Sequence, residues 1–155
     1  MIVHLVPGSS EELDSVMEVM NSAFPPRFGE AWTRSQCAGI LPMTGVRLVI
    51  ARDGNERSLG FSLYRTVAGD SELLLLAVDS GAQRNGIGRK LLDHFIEDAR
   101  ENGARQIHLE VRDGNSATRL YESAGFTRAN RRRNYYRGKD GAQFDALTFV
   151  LTTGD

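Results

Sequence analysis

Apolar and polar positions along the chain fall into short runs of two different periods. Ile2–Val6 is a brief apolar run closed by Pro7-Gly8 and reads as a strand. Ser9-Ser10-Glu11-Glu12 has the spacing of a capping box, with Ser9 as N-cap and Glu12 reaching back. Leu13, Val16, Met17 and Met20 then recur at helical spacing, and Phe24-Pro25-Pro26 ends the helix. Thr33 and Gln36 are spaced to cap a second short helix carrying Cys37, Ile40 and Leu41, closed by Pro42 and Gly45. Val46–Ala51 and Leu59–Ala68 flank the turn signal Asp53-Gly54-Asn55 and read as a hairpin. Gly69-Asp70 turns the chain into Leu73–Val78, a continuous apolar run too short for a self-burying helix. It suits a strand covered on both faces.

The stretch Leu73–Arg89 organises the rest. A polar loop after the apolar run leads to Arg84-Asn85-Gly86-Ile87-Gly88-Arg89 and then to a helix. Ile87, Leu91, Leu92, Phe95, Ile96 and Ala99 form one face of that helix, and Gly103 closes it. Strand, glycine-containing loop and helix can bind phosphate, because the first N–H groups of a helix lack internal partners and its dipole favours an anion. The same two glycines also fit a tight connection dictated by sterics. Neither a G-x-x-x-x-G-K-[ST] nor a full G-x-G-x-x-G motif is present. Downstream, Ile107–Val111 is a strand and Ala117, Leu120 and Tyr121 lie on a short helix stopped at Gly125. Phe126 to about Tyr136 and Phe144–Thr152 form a hairpin about Gly138-Lys139-Asp140-Gly141.

The order is β α α β β β α β α β β, an α/β (α+β) chain. Its strand–helix–strand unit, Leu73 to Val111, requires a parallel pair with a right-handed crossover. Hairpins on either side make the sheet mixed, mostly antiparallel, with helices on both faces.

Bulk properties narrow the function. With 155 residues the chain is expected to form a single domain, 1–155. Net charge −1 argues against a dedicated DNA or RNA binder. One cysteine, Cys37, excludes an internal disulfide, and no Cys/His spacing suggests a metal. No leader pattern or membrane-length apolar run is seen, so a cytoplasmic location without membrane contact is expected.

The string Gln83-Arg84-Asn85-Gly86-Ile87-Gly88 resembles the Q/R-x-x-G-x-G/A pyrophosphate loop of the GNAT superfamily of acyl-CoA-dependent N-acetyltransferases. A second run, Leu109-Glu110-Val111-Arg112…Asn115…Leu120-Tyr121-Glu122…Gly125-Phe126, resembles bacterial ribosomal-protein alanine N-acetyltransferases of the RimI type. So do Arg132-Arg133-Asn134-Tyr135-Tyr136 and Asp140-Gly141. Asn115 stands one residue closer to Tyr121 than in that group. Similar segments run from about Leu73 to Leu151, whereas the part before Leu73 matches only loosely.

The resemblance implies a GNAT fold and transfer of acetyl from acetyl-CoA to a primary amine. The foremost acceptor is the N-terminal α-amine of a protein or peptide, with ribosomal proteins first among candidates. The alternatives are acetylation of a small amine or a lysine, and a CoA-binding sensor module without turnover. Glu110 would be the general base and Tyr121 the proton donor to the departing thiolate. Backbone groups of Leu76, Ala77 and Val78 would hold the pantetheine arm. Arg84, Asn85, Gly86, Ile87, Gly88 and Arg89 would take the diphosphate, and Asn115 would also bind the cofactor. Tyr135, Tyr136 and Trp32 would line the acceptor groove. Phe28 and Met43, near Trp32, either wall that groove or pack the domain's edge. Read from the residues alone, Glu110 equally fits an exposed strand carboxylate paired with a cation, and Tyr121 a packed core aromatic. Arg128, Arg131, Arg132, Arg133 and Arg137 fit a charged edge strand or an anionic partner. Cys37 has no neighbouring histidine and is set aside as a nucleophile. Oligomeric state is not legible.

Overall fold

The central apolar run becomes β4, the strand on which the two sides of the sheet are built. A computed structural model describes residues 2–153. It contains strands β1 (His4–Gly8), β2 (Val46–Arg52), β3 (Ser58–Val67), β4 (Asp70–Val78), β5 (Gln106–Arg112), β6 (Thr127–Arg137) and β7 (Gln143–Thr152). The helices are α1 (Leu13–Ala23), α2 (Arg34–Ile40), α3 (Ile87–Glu101) and α4 (Ala117–Ser123). The strands form one sheet in the order β1-β2-β3-β4-β5-β7-β6, and only β4 and β5 are parallel neighbours.

The two sheet faces carry separate cores. α1 and α2 cover one, where Leu13, Val16, Met20 and Cys37 meet Ile50, Phe61, Leu63 and Leu75. α3 and α4 cover the other, where Leu91, Leu92, Phe95 and Tyr121 meet Leu73, Ile107, Leu109 and Phe149. Each large apolar side chain fully buried in this way contributes about 1.5–3 kcal/mol. All six apolar residues read from the period of α3 are buried.

β4 departs from the expected strand covered uniformly on both faces. Its register against β3 slips between Leu63 and Tyr64, so that Leu63 pairs with Leu75 and Tyr64 with Leu73, leaving Leu74 as the extra residue of a bulge. The bulge sends Leu73 into the α3 core and Leu75 into the α1 core. Beyond it Leu75 and Ala77 are buried, whereas Leu74, Leu76 and Val78 are half-buried.

Two boundaries and one cap differ from the sequence reading. β1 runs through Pro7 and Gly8, because it is an edge strand where the missing proline N–H costs no ladder bond. The Ser9 hydroxyl accepts from Glu11 N and heads a 3₁₀ turn, Ser10–Glu12, so α1 starts at Leu13. Glu12 meets the Ser9 hydroxyl, 3.4 Å away, in place of the backbone amide of a full box. The Thr33/Gln36 capping box of α2 is complete.

Candidate active site

A cleft opens where β4 and β5 part. Their parallel pairing covers Asp70–Leu73 against Gln106–Leu109 and ends at the bulge. Past that point Leu74–Val78 and Glu110–Arg112 line a cavity of about 850 Å³. Ladder alternation sets which amides face it. Asp79 N donates to Leu59 O at 2.7 Å, so odd-numbered residues of this part of β4 turn their N–H groups to β3. The amides of Leu76 and Val78 therefore point into the cleft. Ala77 also borders it.

One end of the cleft meets the N-terminus of α3. Gly86 is the N-cap with φ +75°, and no side chain caps this end. The first helical bond runs from Lys90 N to Gly86 O, leaving the preceding amides without helical partners. The first turn carries Arg89 and Lys90 and no acidic residue, the reverse of what a helix dipole prefers unless an anion sits there. Arg84, Gly86, Ile87, Gly88 and Arg89 all border the cavity. Arg84 has φ +68° and is exposed, while Arg89 pairs with Asp93 at 2.8 Å and donates to Ser123. Asn85 is not among the cavity-lining residues. Its amide donates to Ala82 O at 3.0 Å and closes the loop from outside. Gly88 has a steric role besides openness, since a Cβ there would lie 3.3 Å from Leu120 Cδ2 and 3.8 Å from Val78 Cγ2.

The other end holds the candidate acid–base groups. Strand alternation turns Glu110 away from Leu109 and Val111 and into the cleft, and its side chain is 15% exposed. Arg132 Nε lies 3.1 Å from Glu110 Oε2, yet off hydrogen-bond direction, so charge holds the pair and the oxygen keeps a free lone pair. Tyr121 is 5% exposed, wedged among Phe126 and Phe149, and borders the same cavity. Burial, with the charges of neighbouring Tyr136 and Glu30 in support, raises its phenol well above the ordinary value of 10, so it stays protonated.

Aromatic residues wall this end. Tyr135 and Tyr136 stack edge to face at 5.0 Å, and Tyr136 is likewise raised by burial and by Glu30. Trp32, Phe24 and Phe28 line the same cavity. Met43 lies outside the lining residues, 46% exposed. Cys37 is buried in α2 beneath the α1 core, away from the cleft.

Sequence reasoning gave no site role to Glu30, Arg112 or Glu72. Glu30, in the irregular stretch before α2, has its side chain 8% exposed and pairs with Arg112 Nε at 3.1 Å. Its other oxygen accepts from Asn115 Nδ2 at 2.7 Å. Arg112 Cζ in turn lies over Phe28, 3.6 Å from the ring centre. Asn115 borders the cavity, but its carbonyl oxygen accepts from Ala117 N at 2.8 Å, so its side chain is shared between Glu30 and the start of α4. Glu72, on β4 across from His108, also lines the cleft, and burial raises its carboxyl with Glu110 adding to the effect. Its place in the polar start of an apolar run was the one available signal.

Among the described residues, no cluster of His, Cys, Asp or Glu could hold a metal, and no helix is long and apolar enough to cross a membrane.

This geometry has known counterparts. The ribosomal protein bS18-alanine N-acetyltransferase of Escherichia coli K12 is 41% identical over 98 residues, 63% of this chain and 66% of that protein. The N-alpha-acetyltransferase RimI of Mycobacterium tuberculosis is 42% identical over 94 residues, 60% of this chain and 56% of that protein. The matches thus span somewhat less than two thirds of these relatives' length. The crystal structure of the ribosomal-protein-S18-alanine N-acetyltransferase from Escherichia coli superposes with a TM-score of 0.87 at 29% identity, covering 99% of this chain and 96% of that one. The acetyltransferase (GNAT) family profile matches residues 13–126, and with the split β4/β5 pair and the open α3 terminus the chain belongs to that family.

Proposed function

We propose that the protein transfers acetyl from acetyl-CoA to the N-terminal α-amine of a protein, a ribosomal protein foremost. We read the chain as one domain working in the cytoplasm. A single observation carries the reading. The cleft between β4 and β5 has free helix amides at one end and a carboxylate and a phenol, Glu110 and Tyr121, at the other. The split edge suits a pantetheine arm, which needs backbone partners along an extended path. The uncapped terminus of α3 suits a diphosphate. The high identity to alanine N-acetyltransferases favours an α-amine over a lysine or a small amine.

The donor supplies its acetyl group as a thioester. Glu110, directly or through water, takes the proton that the attacking amine must lose. An α-amine of pKa about 7.7–8.0 needs this help less than a lysine of about 10.4. The Val78 amide, turned into the cleft, would stabilise the charge that the carbonyl oxygen gains. Tyr121, held protonated by burial, gives its proton to the leaving sulfur. Leu76 and Ala77 hold the pantetheine arm. Arg84, Gly86, Ile87, Gly88 and Arg89 take the diphosphate, with Asn85 shaping the loop and Asn115 bordering the cofactor's path. Trp32, Tyr135 and Tyr136 form the acceptor's walls.

Calorimetry with acetyl-CoA and turnover of an Ala-starting peptide by wild type and Glu110→Gln test the reading together. Tight cofactor binding with no turnover of any amine by wild type would favour the sensor alternative.

A further inference from the structure

Resting on the roles just given to Glu110 and Tyr121, we propose that Glu30 is a positioning residue. It locks the acceptor wall to both elements that carry those groups. The wall segment 26–30 reaches the β6–β7 hairpin through its backbone. Lys139 N donates to Pro26 O at 3.1 Å, and side chains at Gly29 or Gly138 would collide with the backbones of Arg137 and Arg27. Glu30 extends the attachment inward. One carboxylate oxygen faces Arg112, two residues beyond Glu110 on β5, and the other accepts from Asn115, whose carbonyl caps Ala117, four residues before Tyr121.

Both ionic partners are largely buried, Glu30 at 8% and Arg112 at 11% side-chain exposure. Desolvation of such a pair cancels much of its attraction, so net stability is a weak reason for its presence. What it supplies is register. The Asn115 bond fixes one carboxylate oxygen relative to α4, the other faces Arg112 through charge and without hydrogen-bond alignment, and the Arg112 guanidinium seals the junction against Phe28. Trp32, two residues along, shares this wall. Release of Glu30 would let wall, base and proton donor drift independently, and a drift of about 1 Å suffices to cost about 10²-fold in rate.

The test uses the full chain with the Ala-starting peptide, the variants Glu30→Ala, Glu30→Gln, Asn115→Ala and Glu30→Ala/Asn115→Ala, and two readouts. Steady-state kinetics give kcat and KM separately. Acrylamide quenching of Trp32, the chain's single tryptophan, reports the wall without requiring turnover. Glu30→Ala should lower kcat by about 10- to 100-fold while acetyl-CoA affinity stays within about twofold, and Trp32 should become more quenchable. Glu30→Gln keeps an acceptor for Asn115 and should regain a large part of kcat. The double variant should be about as slow as the slower single variant, because both substitutions cut one connection. A Glu30→Ala enzyme with wild-type kcat and quenching, or strictly additive losses in the double variant, would overturn the proposal. If Glu30→Ala fails to fold, Glu30→Gln and Asn115→Ala decide: each should lower kcat severalfold, and wild-type kcat in both overturns it. Failure of the acetyl-transfer reading is distinguishable. It would appear as absent turnover in wild type or an indifferent Glu110→Gln, and Trp32 quenching in the Glu30 variants would still rule for or against the wall contact.

Discussion

The two ends of the cleft are made from different materials. At the end proposed for the cofactor the groups on offer are backbone: the amides of Leu76 and Val78 exposed by the split from β5, and the free amides opening α3. At the acceptor end they are side chains brought from four separate segments, with Glu30, Glu110, Tyr121 and Tyr136 converging on one volume. Backbone recognition depends on local conformation, such as a bulge at Leu74 or a left-handed Gly86, and tolerates change in most side chains. Side-chain recognition depends on long-range assembly and is lost or retuned by single substitutions. The cofactor end should therefore be the common part of the family's machinery and the acceptor end the part that sets specificity.

Substitutions at each end test this division, and the largest effect belongs to the acceptor end. Glu110→Gln keeps shape but removes the base, along with the charge that holds Arg132. Turnover should fall by about 10²–10⁴ while acetyl-CoA affinity, measured by calorimetry, barely moves. A parallel loss of affinity would mean that the two ends are not separable. Tyr121→Phe should slow turnover less, by about 10-fold, because a thiol of pKa about 8.5 leaves without great difficulty. The deficit should shrink with a thioester bearing a more acidic thiol.

At the end proposed for the cofactor, Gly88→Val presses on Leu120 and strains the packing of α3 against α4. Acetyl-CoA affinity should weaken by about 10-fold, about 1.4 kcal/mol, and overpacking should cost about 1–3 kcal/mol of stability. Thermal unfolding and calorimetry on one preparation separate the two losses. Gly88→Ala should show a smaller version of both.

Glu72 gives the smallest effect and a check on the electrostatics between the ends. Burial, opposed by His108 and supported by Glu110 and Asp70, raises its carboxyl in the folded state. A raised folded value means that stability is fully present below the unfolded pKa and declines as pH rises through the folded one. Glu72→Gln should therefore raise the melting temperature at pH 7 and bring no gain near pH 4. A gain independent of pH would contradict a raised carboxyl.

The same division explains what was legible in the sequence. The α3 face, the Thr33/Gln36 box and the parallel β4/β5 pair all follow from spacing within a short stretch of chain, and they stand as read. The bulge at Leu74 was not legible, because Leu73 to Leu76 are chemically identical and only pairing with β3 shows which is extra. Pro7 looked like a strand end because its tolerance depends on β1 being an edge, a property of the sheet and not of the segment. Glu30 gave no signal, since its partners Arg112 and Asn115 lie more than eighty residues away in sequence. The bond from the Asn85 amide to Ala82 O was not legible either, because it depends on how the loop folds back on itself.

The most direct test of acetyl transfer to an α-amine is tandem mass spectrometry of a peptide that starts with Ala and carries an internal lysine, after incubation with enzyme and acetyl-CoA. The account predicts one acetyl group, on the α-amine, and none when the N-terminus is blocked. Acetyl found on the lysine side chain alone, or on neither amine while acetyl-CoA binds tightly, would contradict it.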